Sequence, residues 1–210
     1  MRRNPIFFTS DTHYFHENSI KFDDRPFSNI EEMHKTLIKN YNHFVPTYGT
    51  CYFLGDFGFS SVENLKSIIS QLNGQKILIL GNHDKRGYNA YFDIGFNLIL
   101  NSAKIIIANQ PVTLSHCPLR GVFREDVTGM NRAVEGENWH GESRHFNYSV
   151  PNEGQYHLHG HSHLKSELVE GKTPLKTNRQ WDIGVVGNKY SPVSISQVES
   201  WIMKTLKEEK

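Results

Sequence analysis

Aspartate, asparagine and histidine recur along this chain in five short clusters, and each cluster follows directly on a hydrophobic run. Asp11 and His13 come after Ile6-Phe7-Phe8, Gly55-Asp56 after Cys51-Tyr52-Phe53-Leu54, and Gly81-Asn82-His83-Asp84 after Ile77-Leu78-Ile79-Leu80. His116 follows Val112-Thr113-Leu114-Ser115, and His161 with His163 follows Tyr156-His157-Leu158-His159-Gly160. Oxygen and imidazole donors without a thiolate suit Mn, Fe, Zn, Co or Ni. There are more of them than one ion uses, and a carboxylate can bridge two cations. Two metals about 3.5 to 4 Å apart can generate a hydroxide and clamp both oxygens of an in-line displacement at phosphorus.

The spacing Asp-x-His after a strand lets both side chains turn toward one ion, and His161-Ser162-His163 repeats it. Glycines at Gly55, Gly81 and Gly160 suit backbone that takes an unusual φ or passes close to ions and substrate. One histidine alone is more often a hydrogen-bonded structural residue than a ligand; the ordered set reverses that. Outside the motif positions, His34, His43, His145, His157 and His159 read as structural, while His16 and His140 remain candidates for a place near the site. Arg25 fits two roles equally, binding a substrate phosphate or pinning a loop to Asp23 or Asp24. Arg120, Arg124, Arg132 and Arg144 read as dispersed surface charge, Trp139 and Tyr148 as loop anchors, and Cys117 as a small buried residue.

These clusters need a scaffold, and the intervening sequence supplies one. The runs Ile6 to Thr9, Cys51 to Leu54, Lys76 to Leu80, Lys104 to Ala108, Val112 to Ser115 and Tyr156 to His159 are strand-length and rich in branched or aromatic residues, with Trp181 to Val185 as a further strand. Asn109-Gln110-Pro111 reads as a tight link between two of them. Three amphipathic helices fall between the clusters. Ser28 with Glu31 heads one through Ile30, Met33, Leu37, Tyr41 and Phe44; Ser60 with Glu63 heads a second, closed by Asn73-Gly74; Ser196 with Glu199 heads a third through Val198, Trp201, Ile202 and Leu206. Strands alternating with helices imply an α/β layout whose ligands lie beyond the carboxyl ends of the strands. From 118 to 153 the chain is polar and weakly periodic, which reads as a surface excursion.

At 210 residues and 24.2 kDa the length fits a single domain spanning 1–210. A hydrophobic content of 37% with 21% charged residues argues against wholesale disorder. A net charge of +1 gives no field to draw a polyanion, so extended nucleic acid is not the favoured partner. Two cysteines without a C-x-x-C partner fit reduced thiols in a cytoplasmic setting. The apolar stretch behind Arg2-Arg3 is too short for a secretory leader, and no run approaches the roughly 20 residues that cross a bilayer.

In order, the clusters read Asp11-Thr12-His13, Gly55-Asp56, Gly81-Asn82-His83-Asp84, His116 and Gly160-His161-Ser162-His163. In this the chain resembles the calcineurin-like metallophosphoesterases, whose blocks are D-x-H, G-D, G-N-H-[DE], a lone H and G-H-x-H. The resemblance implies a two-sheet β-sandwich flanked by helices, a four-layer αββα arrangement. It implies two divalent metal ions, Mn²⁺ first with Fe, Zn, Ni or Co as alternatives. One would be held by Asp11, His13, Asp56 and His163, the other by Asp56, Asn82, His116 and His161. Asp56 would bridge them, and His83 would contact the phosphoryl oxygen or protonate the leaving group, oriented by Asp84. The activity implied is hydrolysis of a phosphate ester by a metal-bound hydroxide, with a small phosphodiester or nucleotide as substrate; the alternatives are a nuclease or a non-catalytic module built on the metal scaffold. Asp56 is followed by Phe57-Gly58-Phe59 and not by the x-x-D-R-G of the protein phosphatase branch, which disfavours phosphoprotein substrates. Tyr14 stands where many relatives carry glycine.

Overall fold

Alternating side chains along the first three strands feed two separate apolar clusters, and this is what stacks the molecule in layers. Phe7, Cys51, Phe53 and Leu78 point into one cluster, while Phe8, Leu54 and Ile79 point into the other. The computed structural model describes residues 4–119, 148–165, 175–177 and 179–209. In chain order the elements are β1 (Ile6–Thr9), α1 (Asn18–Phe22), α2 (Ile30–Phe44), β2 (Thr50–Phe53), α3 (Val62–Ile69), β3 (Gln75–Ile79), α4 (Tyr88–Ile94), β4 (Leu98–Leu100), β5 (Ala103–Ile107), β6 (Gln110–Leu114), β7 (Tyr156–His159), β8 (Gln180–Asp182), β9 (Val193–Ser194) and α5 (Ile195–Glu208).

One sheet has the order β4-β3-β2-β1-β9, with β1 to β4 parallel and β9 antiparallel at the edge. The other has the order β5-β6-β7-β8, parallel from β6 onward. Met33, Leu37 and Tyr41 of α2, Leu65, Ile68 and Ile69 of α3 and Tyr91 and Ile94 of α4 close the cluster on one face of the first sheet. The second cluster joins the two sheets and takes in Val198, Trp201 and Ile202 of α5, whose Trp201 ring meets Tyr156 and Trp181 edge-on. The two-sheet sandwich flanked by helices is thus the fold.

The strands expected at Ile6 to Thr9 and Tyr156 to His159 keep those bounds, whereas those expected to end at Leu54, Leu80 and Ser115 stop one residue sooner, because the residue ahead of the polar cluster already belongs to the loop. The link expected at Asn109-Gln110-Pro111 sits one residue earlier. Ala108 and Asn109 both take positive φ, 51° and 59°, the pair of left-handed residues that a two-residue hairpin turn needs, and Gln110 already pairs with Ile107. The cluster from Trp181 yields the strand Gln180–Asp182 and a separate bridge from Gly184 to Ser10.

The helix starts are shifted too. Asn29, not Ser28, caps α2 by accepting from the Glu32 N–H at 2.9 Å, and Glu32 in turn accepts from the Ser28 N–H. Ser61, not Ser60, caps α3, which ends at Ile69 before Asn73-Gly74 is reached. The capping box of α5 is Ser194 with Gln197, which leaves Ser196 inside the first turn. Of the excursion expected over 118–153, residues 120–147 lie outside the described residues, and with them Arg120, Arg124, Arg132, Trp139, His140, Arg144 and His145.

Candidate metal centre

Five strands deliver the clusters to one rim. β1, β2 and β3 are parallel neighbours in one sheet, β6 and β7 in the other, and every cluster follows a carboxyl end. Asp11, His13, Asp56 and His116 are buried; Asn82, His161 and His163 are half-buried. His163 Nε2 lies 3.3 Å from Asp11 Oδ1 and 3.1 Å from His13 Nε2. His116 Nε2 lies 2.8 Å from Asn82 Oδ1, which is 3.0 Å from His161 Nδ1. Asp56 Oδ2 stands between the two groups, 3.8 Å from His13 Nε2 and 3.5 Å from His116 Nε2. All seven residues singled out in the sequence therefore meet in one place.

The backbone is bent to make that meeting possible. Asp11, His13, Asp56, His161 and His163 all take left-handed φ, between 47° and 66°. Alternating left-handed residues fold each Asp-x-His or His-x-His segment back on itself, so side chains two apart point the same way. The strained loops brace one another: Asp11 N–H donates to the Gly55 carbonyl, His13 N–H to the Asp56 carbonyl and Tyr14 N–H to the Phe57 carbonyl. Gly55 sits at φ 94°, and a Cβ there would strike His116 Nδ1. At Gly160 a Cβ would overlap Ser10 Oγ and Asp11 Oδ2. Close approach of backbone to ligand side chains is why these positions lack a side chain.

Neighbouring groups fix the donors. Asp84 does not face His83. Its carboxylate accepts from the Asp56 N–H (2.7 Å), the Gly81 N–H (2.9 Å) and the Phe57 N–H (3.3 Å), so it ties the second and third loops together. The expectation that Asp84 orients the His83 ring is corrected accordingly. His83 is exposed at the mouth, and its backbone N–H donates to Asp56 Oδ1 at 3.0 Å. The His116 Nδ1–H donates to the Leu54 carbonyl at 2.7 Å, which leaves Nε2 facing inward. Asp23 lies 2.8 Å from His163 Nδ1 and also accepts from Arg25 Nε and Nη2. Arg25 is buried and donates onward to the Thr12 and Asp11 carbonyls, so of its two roles it pins the loop. His34 is structural, accepting the Phe15 N–H; His16 sits at the mouth against Phe59.

Electrostatics follow from this packing. Burial pushes the Asp11 carboxyl up, but His163 beside it, with His116 and His13, outweighs burial and holds it well below the usual carboxylate range. Burial pushes His163 down, yet Asp11 and Asp23 raise it to about 10. His116 is also raised, Asp56 and Asp11 overcoming burial. Burial and the Asp56 charge push Asp84 up to about 7 against its backbone donors. The Cys117 thiol is pushed far up by burial and then by Asp56 and Asp11, which suits a buried neutral group.

Two carboxylates, an amide oxygen and four imidazoles converge without lysine or arginine among them, while Arg25 is engaged by Asp23 and backbone carbonyls. His13 Nδ1 is buried without a hydrogen-bond partner among the described residues. Asp11, His13 and His163 form one group able to hold a cation, and Asp11, Asp56 and His116 a second. The donor set fits divalent metal. His116, Cys117 and His161 form a third such group, so Cys117 lies closer to the centre than its reading as a small buried residue conveyed. The sequence also gave no hint of the Asp23 link to His163, which joins residues 140 apart.

The resemblance to the calcineurin-like metallophosphoesterases, read from the order of the motifs, holds in three dimensions: the sandwich is the one that family implies, and the five blocks gather at a buried Asp/His cluster. No family model matches the chain. An uncharacterized protein of Methanocaldococcus jannaschii is 45% identical over 100 residues, a match that covers 43% of this chain and 57% of that protein. The gene 66 protein of Mycobacterium phage L5 is 28% identical over 175 residues, covering 74% of this chain and 76% of its own. Among solved structures, a protein of unknown function from Aquifex aeolicus superimposes with a TM-score of 0.65 at 25% identity, over 95% of this chain and 100% of that one. A phosphoesterase from E. coli reaches a TM-score of 0.39 at 12% identity over 87% of this chain and 79% of its own, too slight a likeness to carry function. No helix among the described residues is long and apolar enough to cross a membrane.

Proposed function

We propose that this protein is a dinuclear metal-dependent phosphoesterase acting on a small phosphodiester or nucleotide. The observation that carries the reading is the position of Asp56 Oδ2 between two half-sites, 3.8 Å from His13 Nε2 and 3.5 Å from His116 Nε2. Asp11, His13 and His163 would hold one ion, and Asn82, His116 and His161 the other, with Asp56 shared. Bound there, two divalent ions supply Lewis acidity toward the phosphoryl oxygens and lower the pKa of water.

The remaining chemistry belongs to side chains. Asp23 and the Leu54 carbonyl hold the His163 and His116 rings so that each presents one nitrogen inward. His83 is the exposed imidazole at the mouth, its ring 6.1 Å from that of His13, and from there it donates a proton to the departing oxygen of the ester. The near-neutral charge of the chain favours a compact substrate over a long polyanion.

The test is hydrolysis of aryl phosphate mono- and diesters with Mn²⁺, Fe²⁺ or Zn²⁺, alongside metal content after reconstitution. Two ions per chain and turnover are expected. Asp56→Asn should bring both down together, and His83→Ala should lower kcat about 10²- to 10⁴-fold with metal content kept. Binding of one ion at most, or turnover indifferent to both substitutions, overturns the assignment. Full metal content with no turnover of any ester would favour a binding module instead.

A further inference from the structure

Aromatic rings run outward from the candidate centre in an unbroken series. Phe59 stacks on His13, with centroids 5.4 Å apart and 13° between the planes, and it meets His83 at 5.0 Å and His16 at 4.5 Å. His16 meets Phe22 edge-on at 6.4 Å. Exposure grows along the series: His13 is buried, Phe59 and His16 are half-buried, and Phe22 at the end of α1 is 76% exposed. Neither Phe59 nor Phe22 belongs to either apolar cluster of the fold.

We infer that Phe22, His16 and Phe59 form a stacking wall for the planar ring of the esterified group, so that nucleotides are taken in preference to phosphate esters of sugars. The inference rests on the phosphoesterase reading and adds the class of substrate to it. His83 touches Phe59, so a leaving group that receives its proton from His83 extends along this wall. A phenyl ring left in water gives the fold nothing, whereas a base stacked on it gains binding without regard to sequence.

Adenosine 5′-monophosphate and ribose 5-phosphate lose the same primary alcohol, so the ratio of their kcat/KM values isolates the base. A ratio of about five-fold or more is expected for the unmodified protein. Phe22→Ala and Phe59→Ala should bring it toward one, while Phe22→Trp should preserve it. A ratio near one in the unmodified protein, or a ratio unmoved by Phe22→Ala, overturns the wall. Equilibrium dialysis of the two compounds against the metal-loaded protein reads the same ratio without turnover. A protein inert toward every ester defeats the phosphoesterase reading, and equal binding of the two compounds defeats the wall separately.

Discussion

Left-handed backbone at a residue with a Cβ costs roughly 1–2 kcal/mol, and five of the residues gathered at the candidate centre, Asp11, His13, Asp56, His161 and His163, adopt it. Strain of this kind persists only where surrounding bonds over-determine it, and here the loops carry one another's N–H groups. The residue types at these positions were legible in the sequence because each sits directly after a strand-length run. Their supports were not. Asp23 reads as the partner of a neighbouring arginine, and nothing local connects it to His163, which the sandwich brings to 2.8 Å. Through that contact Asp23 fixes which nitrogen of His163 faces the centre, and Arg25 holds Asp23 in turn. In the proposed two-ion centre, Asp23→Asn should therefore weaken the site of Asp11, His13 and His163 about 10- to 100-fold, read by competition with a chromophoric chelator, and leave the other near its original affinity. An affinity there unmoved by the substitution would show that Asp23 only pins the loop.

Helices of 8 residues or more could be found from periodicity, and the shorter ones could not. α2, α3 and α5 carry apolar residues at helical spacing and sit where expected, whereas α1 and α4 have 5 and 7 residues and no side-chain cap bond. β4 and β9, with 3 and 2 residues, exist because a neighbouring strand pairs with them. Helix starts were misplaced by one or two residues for a definite reason. The serine-rich lead-in Ser191 through Ser196 offers two S-x-x-[EQ] frames, Ser194 with Gln197 and Ser196 with Glu199, and only the register in which Val198, Trp201 and Ile202 are buried decides between them. The choice is measurable. Ser194→Ala should cost about 1 kcal/mol by freeing the Gln197 N–H, which lowers Tm by about 2–4 °C in a chain of this size. Ser196→Ala, inside the first turn, should leave Tm level or slightly higher, since alanine is the better helix former. The opposite pattern would restore Ser196 as the cap.

Across the whole molecule, two sheets meeting at one rim explain why five distant clusters converge, and that was readable from their order along the chain. The polar interior of the second sheet was not, because a buried histidine looks like any other in sequence. His157 is fully buried in β7, with Nε2 2.8 Å from Ser115 Oγ and Nδ1 2.9 Å from Gln180 Oε1. Burial, and then the nearby His159, holds its pKa well below the usual value, against the opposing pull of Gln180. Unfolding frees the ring to titrate near 6.5, so below that pH the unfolded chain binds a proton that the native one refuses. Stability from this group is complete above about pH 6.5 and is lost as the pH falls, by up to about 1.4 kcal/mol per unit. His163, raised to about 10, works in the opposite sense, favouring the fold below pH 6.5 and withdrawing that support as the pH rises through 10. The pH profile as a whole therefore contains opposing terms on its two sides, and a difference between two proteins isolates His157. His157→Gln should be less stable than the unmodified protein at pH 8, having lost part of the Ser115 and Gln180 bonding. The gap between their urea-derived stabilities, measured with metal chelated, should shrink by about 1.4 kcal/mol for each unit between pH 6 and 5. Parallel curves through that interval would mean that His157 takes up its proton without leaving the fold.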